Sequence, residues 1–199
     1  MSKDFEIPEY VWPTMEAAEI HSMSMEFITW PWMDRFFGPE ADKYRFMHLV
    51  DALLFIPYGA LVDEFQHAVY DNAQWSPGER FKTWRELERK YLPYRDFAGN
   101  AYLEEGGFWQ SQRHIYELPF YYIDYTLAQV CALQYWSKFR TNRESAWSDY
   151  LKLCRAGGSA AFLKLVGIGG LESPFDPGVL ERAVQPAKEW LSETGFSKF

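Results

Sequence analysis

The chain has 199 residues, enough to bury a real core in one domain or at most two small ones. With 28 acidic and 20 basic residues its formal charge is −8 and no basic run occurs, which argues against electrostatic capture of nucleic acid or an anionic membrane. Hydrophobic residues make up 48%, which excludes a disordered tail.

Strand-period alternation is sustained nowhere, while helical patterns and helix punctuation recur throughout. Thr14 to about Phe37 reads as a helix bent near Pro31, with Met15, Ala18, Met25 and Trp32 as its apolar positions. Asp42 to about Phe55 is a second helix, broken by Pro57-Tyr58-Gly59, and Leu61 to Tyr70 a third. Ser76-Pro77-Gly78-Glu79 is a capping box that opens a helix to about Tyr91. Asp96 to Gln112 reads as irregular. Phe120 to Phe139 is a long helix. A second capping box, Thr141 to Glu144, opens a helix to about Arg155, stopped by Gly157-Gly158. Ser159 caps a short helix to Val166, and Asp176-Pro177 opens a last one to about Ser192. The expected fold is all-α, seven or eight helices in a single helical domain over residues 1–199.

Compartment follows from simple features. Cys131 and Cys154 form no CxxC pair and no disulfide framework, which points to a reducing environment. Met1 to Tyr10 is charged and carries no apolar run of the signal-peptide kind. The longest apolar candidate, between Asp124 and Lys138, has 13 uncharged residues, short of the roughly 20 a span needs. The expectation is a soluble, cytoplasmic protein with no membrane partner.

Three features carry candidate chemistry. Glu16, Glu19 and Glu26 share a side of the first helix among Met15, Met23, Met25 and Phe27. Such carboxylates are either a solvated or ion-paired stripe or metal ligands, and spacing alone favours the stripe. His21, two positions from Glu19, points away from it. Glu64-Phe65-Gln66-His67 is one Glu-x-x-His element, and a di-iron bundle needs two. The segment from Glu104 to Tyr125 holds Gly106-Gly107, then His114, Tyr116, Tyr121, Tyr122 and Tyr125. Its histidine and hydroxyls suit an oxyanion, or else an aromatic core. Phosphate-binding, GxSxG and Cys-zinc motifs do not occur.

Taken jointly, AAEIHSMSMEF (Ala17–Phe27), VDEFQHAVY (Val62–Tyr70), HIYELPFYYIDYTLAQ (His114–Gln129), RAGGSAAFLKL (Arg155–Leu165) and GLESPFDPG (Gly170–Gly178) resemble the oligoendopeptidase F family of zinc metallopeptidases, relatives of thimet oligopeptidase. The resemblance implies a helical catalytic domain around a deep channel and a zinc ion as cofactor. It implies Glu19 as the glutamate that completes a zinc site begun by an H-E-x-x-H helix, and Glu26 as support for a zinc-bound histidine. It implies His114 with Tyr122 and Tyr125 as oxyanion donors, and Gly106, Gly107 and Tyr121 as substrate-binding positions. The H-E-x-x-H helix belongs shortly before Glu19, and no such motif occurs in the sequence. The chain therefore reads as the C-terminal part of such an enzyme, inactive alone, with short peptides and the missing N-terminal portion as its partners. The alternative is a non-catalytic helical module that binds peptides or a partner protein.

Overall fold

The computed structural model describes residues 4–195. In chain order its α-helices are α1 (Met15–Ile28), α2 (Asp34–Phe37), α3 (Ala41–Asp71), α4 (Pro77–Tyr91), α5 (Ala101–Glu104), α6 (Arg113–Glu117), α7 (Tyr122–Thr141), α8 (Arg143–Ala156), α9 (Phe162–Ile168) and α10 (Val179–Thr194). Short 3₁₀ turns join several of them, and no strand occurs among the described residues, so the all-α expectation holds.

The capping box of α4 is present in full: Glu79 N donates to Ser76 Oγ, and the Glu79 carboxylate accepts from Ser76 N. Other boundaries differ from those expected. The first helix ends at Ile28, where Thr29 Oγ1 donates to the carbonyls of Met25 and Glu26, and Pro31 sits in a 3₁₀ turn before α2. The buried side of α1 is Ala17, Ile20, Ser24, Phe27 and Ile28, while Met15 and Met25 are exposed. Asn142, not Thr141, caps α8: its Oδ1 accepts from Ser145 N, while Thr141 is still the last residue of α7, its hydroxyl donating to Ser137 O. Ala161 rather than Ser159 precedes α9, and α10 starts after Gly178, whose φ of 78° is the left-handed value glycine tolerates.

The largest difference is at Pro57. The expected break is absent, and α3 runs through it as one 31-residue helix. An interior proline costs about 3 kcal/mol. Burial of Leu61, Val62 and Phe65, each 0% exposed, contributes about 1.5–3 kcal/mol per side chain and outweighs it. Joined in this way, the stretch Asp34–Asp71 is long and apolar enough to cross a membrane by length and composition, which corrects the expectation that no segment is. A buried core helix has the same composition, and Leu61, Val62 and Phe65 belong to such a core.

The chain divides into two compact units, residues 1–53 with 127–199, and residues 54–126. In the first, α1 (Ala17, Ile20), α7 (Ala128, Cys131, Tyr135), α8 (Tyr150, Leu153) and α9 (Phe162, Leu165) bury one apolar cluster. In the second, Leu61, Val62 and Phe65 of α3 pack with Trp84 and Leu87 of α4, Leu92, Trp109 and Tyr122. Glu88 is 0% exposed there and is held by Arg85 at 3.5 Å and Arg95 at 3.2 Å. Removing a partner from such a buried pair leaves an uncompensated charge.

Candidate active site

Within the first unit, α1 carries the carboxylates. Glu19 is half-buried, and its Oε2 accepts from Ser22 Oγ at 2.9 Å. Glu26 lies two turns further on and meets a partner that its own helix does not supply. Its Oε2 is 2.8 Å from His48 Nε2 on α3, and His48 Nδ1 accepts from Trp30 Nε1 at 3.0 Å. An indole N–H only donates, so the imidazole proton of neutral His48 sits on Nε2 and points at Glu26. The ring is packed between Phe27 (4.7 Å between centroids) and Tyr44 (5.6 Å, stacked). Burial, helped by the Glu26 charge, raises the Tyr44 hydroxyl above its ordinary value. The sequence signal for His48 was weak: Tyr44 and His48 stand four apart on one helical face, with nothing to indicate Glu26 opposite.

His21 does lie on another side of α1 from Glu19. Its Nδ1 is 3.3 Å from Tyr150 Oη and 3.8 Å from Cys154 Sγ, and burial lowers its pKa. Glu64 of the Glu-x-x-His element accepts from Lys90 Nζ and from the Tyr91 hydroxyl, and His67 is exposed beside Asp63. Among the described residues no three His, Cys, Asp or Glu side chains gather closely enough to hold a metal ion. A catalytic zinc takes three protein ligands, and the described residues do not bring three together around Glu19 or elsewhere.

Within the second unit, the Gly106-Gly107 pair, α6 and the start of α7 bring the other candidates together. Gly106 has a φ of 101°, and a Cβ there would lie 2.1 Å from the Phe81 carbonyl oxygen of α4. A Cβ on Gly107 would lie 2.4 Å from the Tyr102 ring. Both glycines are buried, and the close approaches they permit are to the protein itself.

His114 on α6 contacts three tyrosines: Tyr121 at 6.3 Å, Tyr122 at 5.2 Å and Tyr125 at 5.6 Å between ring centroids. Tyr122 is 8% exposed and packs on Phe55 and Tyr58, and burial pushes its hydroxyl up to about 12. Tyr125 is half-buried, and its hydroxyl lies 3.5 Å from His114 Nε2. Tyr116 stacks on Trp109 and is exposed. The turn into α7 is set by Phe120, at a φ of 64°, whose N–H donates to the buried Gln66 side chain at 2.9 Å. Gln112 was not legible as a site residue. It lies two positions before His114, and its Nε2 is 2.9 Å from His114 Nδ1.

The arrangement pairs a half-buried histidine with a phenol, beside an aromatic wall. Such a pair donates hydrogen bonds to an oxygen that gains charge.

Comparison with known proteins gives the family. Residues 3–184 match Peptidase family M3. The chain is similar to the solved structure of PZ peptidase A with inhibitor 2, at 59% identity and a TM-score of 0.94, over 96% of this chain and 34% of that one. It is similar to a solved structure carrying the name oligoendopeptidase F, at 61% identity and a TM-score of 0.93, with 96% and 34% covered. A third, carrying the same name and from Bacillus anthracis strain Ames, is 52% identical with a TM-score of 0.85, with 100% and 32% covered. The comparison with curated proteins gives no match. The chain spans about a third of the length of the solved chains it matches. The resemblance seen in the separate segments thus extends over nearly the whole sequence, and the chain belongs to Peptidase family M3.

Proposed function

We propose that the chain is the C-terminal portion of a cytoplasmic zinc metalloendopeptidase that hydrolyses short peptides. The observation that carries this reading is the His114–Tyr125 pair beside Tyr121 and Tyr122, in a chain matched to the peptidase family over residues 3–184. In the reading, Glu19 is one zinc ligand and Glu26 supports a histidine bound to the same ion. Zinc, when bound, supplies Lewis acidity toward water and the peptide carbonyl. His114 Nε2 and the Tyr125 hydroxyl donate to the carbonyl oxygen of the peptide as its charge grows. Tyr121 contacts the peptide, while Gly106 and Gly107, buried against α4 and Tyr102, shape the turn that leads to it. The general base and two further ligands come from an H-E-x-x-H segment, a motif absent from these 199 residues.

A non-catalytic module that binds peptides or a partner is the second reading. It is favoured by Phe36 and Trp12, which are 75% and 69% exposed.

Zinc content and peptide cleavage test the proposal together. The purified chain is expected to hold almost no zinc after dialysis against a weak chelator, and to cleave nothing. Joined with an N-terminal portion that carries H-E-x-x-H, it is expected to hold about one zinc and to cleave short peptides, with Glu19→Ala losing the metal. One zinc on the chain alone, or a full complement in the Glu19→Ala protein, would overturn the ligand assignment. A joined protein that binds peptides without cleaving them would establish the module instead.

A further inference from the structure

The side-chain amide of Gln112 bridges the Tyr58 hydroxyl and the His114 ring. The Tyr58 hydroxyl donates to Gln112 Oε1 at 2.7 Å. That contact turns the NH₂ of the amide toward His114, where Nε2 lies 2.9 Å from Nδ1. In this orientation the NH₂ donates to a bare Nδ1, and a neutral His114 carries its proton on Nε2; the reversed amide, donating to Tyr58 and accepting from Nδ1–H, is the arrangement that the opposite tautomer would report. The Tyr125 hydroxyl is 3.5 Å from that nitrogen, beyond a good hydrogen bond, which leaves the Nε2–H free for another acceptor.

Tyr58 is built to keep this orientation. Its ring stands edge-on to Trp84, Phe108 and Tyr122, with the Arg95 guanidinium 5.5 Å from its centroid. Burial raises its hydroxyl well above the ordinary tyrosine value, so it remains a donor at any working pH. Gln112 stands at the N-cap position of α6, which fixes the amide two residues from the ring it serves.

We infer that Tyr58 and Gln112 are positioning residues that hold His114 as its Nε2–H tautomer, a neutral donor preset for the carbonyl oxygen of a bound peptide. The inference rests on the reading of His114 as a substrate-facing donor, but the tautomer itself is measurable without activity. Chain labelled with ¹⁵N-histidine, at about pH 8 where an ordinary imidazole is neutral, reports the protonated nitrogen of each ring by long-range ¹H–¹⁵N spectra. His114→Gln identifies the signal. His114 is expected in the Nε2–H form. Gln112→Glu offers Nδ1 only an acceptor, and is expected to raise the Nδ1-protonated fraction about tenfold or more through one charge-assisted hydrogen bond. Tyr58→Phe releases the amide and gives a mixture of tautomers. The His48 signal, fixed by Trp30 and Glu26, should not move in either variant and reports that the fold is kept.

An Nδ1–H form in the unmodified chain overturns the inference, whatever the variants do. So does a tautomer that ignores Gln112→Glu while the His48 signal is unchanged. The donor role fails separately: a zinc-loaded joined enzyme with His114→Gln and an unchanged kcat would remove the role and leave the tautomer result standing.

Discussion

Glu26 and His48 are joined across two helices, Oε2 to Nε2 at 2.8 Å, and the far side of the ring is closed by Trp30 Nε1 at 3.0 Å. The relay gives Glu26 a neutral, oriented donor on one oxygen.

The two ends of that relay should differ in cost. Trp30 is 8% exposed, and His48→Leu leaves its N–H without an acceptor, for about 1–3 kcal/mol. The Glu26 side chain is 58% exposed, so Glu26→Gln should cost less than about 1 kcal/mol. Urea unfolding at constant m-value measures both. Equal losses would mean that His48 is held by its ring packing and not by Trp30.

Tyr122 and Tyr125 are one helical turn apart and should respond in opposite ways. Tyr122→Ala removes a core ring and should lower stability by about 3–5 kcal/mol. Tyr125→Phe should leave the thermal midpoint almost unchanged. In the joined, zinc-loaded enzyme it should lower kcat by on the order of 10²-fold with little change in KM. An unchanged kcat would return Tyr125 to packing.

Gly59 lies in α3 against Thr126 of α7, where an added Cβ would sit 1.8 Å from Thr126 Oγ1. Gly59→Ala should therefore destabilise by about 1–3 kcal/mol despite the better helix propensity of alanine. Adding Thr126→Ala should recover part of the loss. A neutral Gly59→Ala would mean that the two helices part at no cost.

Asp149 gives a pH-dependent prediction. Hydrogen bonds from Lys138 Nζ (2.6 Å) and then Lys152 Nζ (2.8 Å) hold its carboxyl below the ordinary carboxylate value. The unfolded chain therefore binds this proton more readily than the folded one. The stabilisation is complete above the unfolded value and is lost as pH falls through the folded one. At neutral pH, Asp149→Asn should cost about 0.5–1 kcal/mol, the scale of a solvent-screened pair. The gap to the unmodified chain should close below about pH 4. A gap that stays constant with pH would assign the loss to shape and not to charge.

The parts of this structure legible in the sequence are those written in local chemistry. Ser76 and Glu79 cap α4 because both partners lie within one turn, and Gly157 ends α8 at a φ of 49°. Tyr122 and Tyr125 meet because three residues make a turn. Pro57 misled because proline's cost is local while its compensation is not: Leu61, Val62 and Phe65 recover it against α4 and Trp109. The same distinction governs the site. His114 and its tyrosines lie within twelve residues of one another, whereas Tyr58 reaches Gln112 across 54 positions and Glu26 reaches His48 across 22. No periodicity encodes such pairings.

The two adjacent glycines before α6 imply different histories of substitution. Position 106 is confined by the Phe81 carbonyl, a backbone atom that cannot yield without moving α4, and by a left-handed φ. Position 107 is confined by the Tyr102 ring, a 48% exposed side chain and not backbone, so a smaller residue at 102 would open the space. Among natural variants of this chain, glycine should be fixed at 106 in every sequence, while a larger residue at 107 should arrive together with a smaller one at 102. Two identical letters side by side thus answer to two separate rules of inheritance, one absolute and one shared with a neighbour five positions away.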